Sequence, residues 1–132
     1  MSSQIQSFDS RQFLSHHLGD VFSTMLSLQT TPLPDAQMPH YENRVTGSVG
    51  FGGETVNGAV YLHLSEALAV KATSAMLGLP PEEITGEQEV NDVVGEMTNM
   101  LAGGLKSTLC DLGATCAVST PAIIRGTSFE IE

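Results

Sequence analysis

The chain has 132 residues, of which 41% are hydrophobic, enough for one domain to close around its own core without disulfide or metal staples. Fifteen acidic residues against five basic ones give a formal net charge of −10, and no cluster of Lys and Arg occurs. This balance argues against nucleic acid and anionic membrane surfaces as partners, since both are bound through grouped positive charge.

The N-terminus, Met1-Ser-Ser-Gln-Ile-Gln, has neither the positive n-region nor the apolar h-region of a secretory signal, and no stretch approaches the roughly 20 apolar residues of a membrane span. A cytoplasmic protein is expected. Asp9 or Ser10 can cap a first helix, in which Phe13, Leu14, Leu18, Val21, Phe22, Met25 and Leu26 repeat at helical spacing. It should end before Thr31-Pro32-Leu33-Pro34, which opens a loop running to about Pro39. Residues 44–51 alternate as a strand does, Gly52-Gly53-Glu54 reads as a turn, and 59–64 form a second strand, most simply a hairpin. Ser65 begins a short Ala-rich helix that Gly78 terminates ahead of Pro80-Pro81. A long helix over 87–112 follows, then strands over 115–119 and 122–131 joined at Pro121.

The long helix carries the chemistry. At about 100° per residue, Val90, Val93, Val94, Met97, Leu101, Leu105 and Leu112 fall in one apolar arc, while Asp92, Glu96, Asn99, Gly103 and Lys106 fall opposite. A scatter of carboxylates on a helix is ordinarily just solvated surface. Two features weigh against that here. Asn99 is a poor mid-helix residue, because its short amide competes for backbone hydrogen bonds, and Gly103, with Gly104 beside it, costs about 1 kcal/mol per residue relative to alanine. Helix propensity sacrificed on one face points to a surface that another molecule's backbone approaches closely.

Asp92, Glu96 and Asn99, spaced four then three, are followed after twenty-one intervening residues by Pro121. The string Asp92-Val-Val-Gly-Glu96-Met-Thr-Asn99 with its distal proline resembles the motif of the CheX/CheC/FliY phosphatases of bacterial chemotaxis, and within them the single-motif CheX branch. Gly95-Glu96-Met97-Thr98-Asn99-Met100 and Ser119-Thr120-Pro121 fit the surrounding wording. So do Gly58-Ala-Val-Tyr-Leu-His-Leu-Ser65 and Ala72-Thr-Ser-Ala-Met-Leu-Gly78 upstream, so the likeness runs from about 44 to 126. The family's two-motif branch has a second Glu and Asn in the first helix. Here Ser15-His16-His17-Leu18-Gly19-Asp20 offers no such pair, and one functional face per chain is expected.

The resemblance implies a single α+β domain over 1–132, a two-layer sandwich with long helices on one face of a mainly antiparallel sheet. In the family further antiparallel strands normally follow the one after the distal proline. This sequence ends at Glu132, so either the chain is cut short or its sheet is naturally smaller. The implied reaction is hydrolysis of the aspartyl phosphate on a phosphorylated CheY-like response regulator. Asn99 would position the water, and Glu96 would pair with the partner's lysine. Asp92 would support the rim of a contact face that also includes Gly103 and Lys106, and Pro121 would shape the loop beside the helix. No cofactor of the chain's own is implied, the Mg2+ belonging to the response regulator; a homodimer is possible.

Two rival readings come from other classes. The same face could dock on a response regulator or flagellar switch component without hydrolysis, although a pure adaptor has no reason to keep a water-orienting amide at Asn99. The four histidines could hold a metal, but adjacent His16 and His17 point about 100° apart on a helix, with His40 in the loop and His63 in a strand as a polar-face residue. Cys110 and Cys116 match no zinc or C-x-x-C spacing and read as reduced small hydrophobes.

Overall fold

The computed structural model describes residues 8–30 and 43–126; the expected 31–39 loop, His40 and the strand continuing through 127–131 lie outside the described residues. Helix α1 (Ser10–Leu26) starts where Asp9 accepts the Gln12 N–H at 3.1 Å and ends at Ser27 in the left-handed region. Strands β1 (Arg44–Gly52) and β2 (Asn57–Ser65) form the hairpin, in register from Arg44 opposite Ser65 to Gly52 opposite Asn57. Helix α2 (Glu66–Leu77) is capped by the Ser65 hydroxyl, which accepts the Leu68 N–H at 3.2 Å. Gly78, at a φ of 67°, ends it as expected of a glycine there. Helix α3 (Glu87–Asp111) precedes the short strands β3 (Ala117–Val118) and β4 (Ala122–Gly126).

β1 is the central strand. It pairs with β2 along one edge and with β3 and β4 in turn along the other, all antiparallel. The helices cover one face, where Val45 and Val49 of β1 and Val60, Leu62 and Leu64 of β2 meet Val90, Val94, Met97, Leu101 and Leu105 of α3 in one core. The α+β expectation is met. On the other face Thr46 Oγ1 and His63 Nδ1 share a hydrogen bond of 2.8 Å, and Tyr61 stacks on the imidazole at 6.2 Å. Burial, and next the Arg44 guanidinium, hold the His63 pKa below its ordinary value, so the ring is a neutral, satisfied member of that face.

Three local expectations need correction. Met25 belongs to the apolar repeat of α1 yet is 45% exposed, because only Val21, Phe22 and Leu26 of that turn reach the core. Leu112 lies past the end of α3 and is half-buried; Leu109 is the last residue of the helix in the core. The strand over 115–119 shrinks to two residues: Ser119 still donates its N–H to the Gly50 carbonyl at 2.8 Å, but its side chain replaces the main-chain acceptor of the return bond. Ser119 Oγ accepts the Gly50 N–H at 2.9 Å, and Pro121 has no N–H to continue the ladder.

Candidate active site

α3 owes its seat on the sheet to a glycine in another element. Gly47 of β1 lies beneath Thr98, and a Cβ there would run into the Thr98 hydroxyl and come within 2.9 Å of Thr98 Cβ. Thr98 is wholly buried, and its hydroxyl is satisfied by donating to the Val94 carbonyl at 2.7 Å. A polar residue is tolerated inside because this hydrogen bond closes within the helix. One turn earlier, buried Gly95 faces the link between β3 and β4. A Cβ on it would meet Pro121 Cγ at 3.6 Å and Ile123 Cδ1 at 3.8 Å, ordinary contact distances, so the proline ring abuts the helix beside the motif.

With its buried side fixed, α3 turns Asp92, Glu96, Asn99, Gly103 and Lys106 outward, and all five are exposed. Gln88 Nε2 donates to Asp92 Oδ1 at 2.8 Å, which orients that carboxylate one turn before Glu96. Among the described residues, neither the Glu96 nor the Asn99 side chain has a hydrogen bond or ion pair. Asp92 and Glu96 line a shallow groove of about 350 Å³ together with Pro121 and Ile123; Asn99 stands beyond it on the open helix surface. A neutral amide and a carboxylate one turn apart on an open surface can orient water and attract a cation. They do not by themselves enclose a substrate.

Gly104 does not share the role expected for Gly103. Around Gly103 nothing comes within 4 Å of an added Cβ, whereas at Gly104 a Cβ would overlap the His17 ring of α1. The second glycine therefore serves packing inside the chain. Sequence reasoning also missed Arg125. Its Nε donates to Asn91 Oδ1 at 2.7 Å and lies 3.1 Å from Glu87, while Nη1 lies 3.5 Å from Glu66, tying β4 to the N-terminal turns of α2 and α3. A lone cation in the apolar run Ala122-Ile-Ile-Arg125 was the signal for it.

His16 pairs with Asp20 at 3.4 Å, His17 meets α3, and His63 sits on the far face of the sheet. Among the described residues no three His, Cys, Asp or Glu side chains gather as a metal site, and no helix is long and apolar enough to cross a membrane.

The fold and this face define a class: a small α+β domain with helices on one side of an antiparallel sheet and a single polar motif along its longest helix. The profile described as chemotaxis phosphatase CheX matches residues 45–132, and the chain belongs to that family of hydrolases. Among solved structures it is similar to the chemotaxis protein CheX from Vibrio vulnificus, at 30% identity and a TM-score of 0.76 over 92% of this chain and 77% of that one. A CheC-like superfamily protein from Shewanella sp. PV-4 matches at 29% identity and a TM-score of 0.72, covering 95% and 82%. The CheX in a CheX–CheY–BeF3–Mg2+ complex from Borrelia burgdorferi shares the fold at 20% identity and a TM-score of 0.68, covering 88% and 76%. No curated protein sequence matches.

Proposed function

We propose that this phosphatase hydrolyses the aspartyl phosphate of a CheY-like response regulator in two-component signalling, with Asn99 as the water-positioning residue and Glu96 as the docking carboxylate. The observation that carries the reading is the pair itself: two exposed side chains, one turn apart, without partners among the described residues, on a helix whose opposite side is locked into the core. An acyl phosphate already has a good leaving group, so the enzyme has to supply a placed nucleophile more than an acid. The water oxygen forms a bond to phosphorus as the bond to the aspartyl oxygen breaks. The carboxylate leaves with the electron pair, and the water's protons pass to phosphate and solvent. A carboxamide both donates and accepts, so it can hold that water without setting a negative charge against the phosphoryl oxygens.

Glu96 would pair with a lysine of the receiver, and Asp92 and Lys106 would border the contact. The Mg2+ named in the Borrelia complex supports a metal carried by the partner. A homodimer, which the family likeness implies, and a cytoplasmic location, expected from the sequence, complete the reading. The experiment that tests it is phosphate release from a panel of phosphorylated CheY-like receiver domains. Acceleration of at least one is expected; tight docking with no release from any would make the chain a binding module.

Two variants probe the face. Glu96→Ala should weaken both receiver affinity and turnover, because a docking carboxylate acts in the ground-state complex as well as in the transition state. Calorimetry that finds its affinity unchanged would withdraw the lysine pairing. Gly103→Leu should stabilise the helix by up to about 1 kcal/mol in a thermal melt. Its binding to the phosphorylated receiver should nevertheless fall about tenfold or more, because a bulky side chain stands where a partner's backbone must come close. Retained binding would place Gly103 outside the contact.

A further inference from the structure

We propose that His17 is a positioning residue for the hydrolysis: from α1 it holds the turn of α3 that carries Asn99. This rests on the reading of Asn99 given above. The His17 Nε2 donates to the backbone carbonyl of Met100 at 3.2 Å, bridging 83 positions of sequence. Phe13, one turn back on α1, lies 5.3 Å away, its ring tilted by 31°. On α3 the imidazole rests against bare backbone, since a Cβ at Gly104 would overlap Nε2 and come within 2.8 Å of Cδ2 and 2.9 Å of Cε1. In a helix the Met100 carbonyl already accepts the Gly104 N–H, so His17 takes its second lone pair.

The location gives this contact its consequence. Around the α3 axis, Met100 and Gly104 border the exposed row on one side, and Gly95 against Pro121 borders it on the other. Thr98 over Gly47 seats the helix from below. The freedom these flanking contacts remove is rotation of α3 about its own axis. A turn of ~15° would carry the Asn99 amide on the order of 1–2 Å, and a misplacement of about 1 Å can cost 10²-fold in rate. Packing alone would not require this pair of residues. A leucine at 17 would fill space as well, and a glycine at 104 costs about 1 kcal/mol of helix propensity relative to alanine.

The test compares His17→Leu, His17→Gln, Gly104→Ala and Asn99→Ala in the full chain, by steady-state phosphate release from a phosphorylated CheY-like receiver and by thermal melting. His17→Leu should lower kcat about tenfold with KM within about twofold, because the partner still docks but the amide is misplaced. His17→Gln, whose Nε2 can reach the same carbonyl, should recover most of that kcat. A merely structural role would move both melts alike and show no such rescue. Gly104→Ala favours the helix but displaces the ring, so it should repeat the kcat loss, and it decides the matter if His17→Leu does not fold. Wild-type kcat in His17→Leu or Gly104→Ala, or equal impairment of His17→Gln and His17→Leu, overturns the proposal. Full turnover in Asn99→Ala overturns the catalytic reading and this one with it; loss there beside full turnover in His17→Leu overturns only the role of His17.

Discussion

Asn99→Ala should slow receiver dephosphorylation on the order of 10²-fold or more, with affinity for the phosphorylated receiver nearly unchanged. The magnitude follows from what the amide does. It holds one water in line with phosphorus, an interaction worth most in the transition state, so its loss falls on kcat instead of binding. The fold is not expected to suffer. Asn99 is exposed, has no hydrogen bond among the described residues, and alanine is the better helix former by about half a kcal/mol. A melt at or above that of the parent chain, with turnover lost and binding by anisotropy retained, is the expected set of results. Turnover equal to that of the parent would rule out the water-positioning mechanism.

What the sequence could show was set by how local each cause is. Periodicity along α3 is a property of one element, and it put Val90, Val94, Met97, Leu101 and Leu105 in the core and turned Glu96 and Asn99 outward. Capping is local too, which is why Asp9, Ser65 and Gly78 mark the ends they were expected to mark. Gly104 failed for the opposite reason. It sits at the margin of the apolar arc, and whether that margin meets solvent or a second helix depends on where α1 packs, which no window of sequence contains. Thr98 differs, because its angular position on the helix already lies with the apolar residues; it is buried over β1 with its hydrogen bond closed within α3. The shortened β3 turns on a Ser119 side chain replacing a main-chain partner, a contact between residues far apart in sequence.

These non-local contacts are also what the site depends on. The motif residues are exposed and few, so their placement has to come from the other side of the helix, and Gly47 makes the closest of those contacts. Gly47→Ala should lower stability by about 2 kcal/mol or more, since the added methyl collides with Thr98 from a strand that is paired on both edges and has little room to retreat. Against a total of about 5–15 kcal/mol for a domain of this kind, that is a large fraction. Turnover should drop along with it in the molecules that remain folded, because α3 can relieve the collision only by lifting or rolling, and either motion carries Glu96 and Asn99 away. Removing the hydroxyl gives a sharper check. The pair Gly47→Ala with Thr98→Ala should cost less than the sum of the two single changes, with a coupling on the order of 1 kcal/mol, because the hydroxyl struck hardest by the new methyl is gone and only the 2.9 Å approach to Cβ remains. Chemical denaturation of the four chains in the cycle measures it. Strict additivity, or a Gly47→Ala chain as stable as its parent, would mean that α3 does not ride on β1 at this glycine, and the seating of Asn99 would then need another cause.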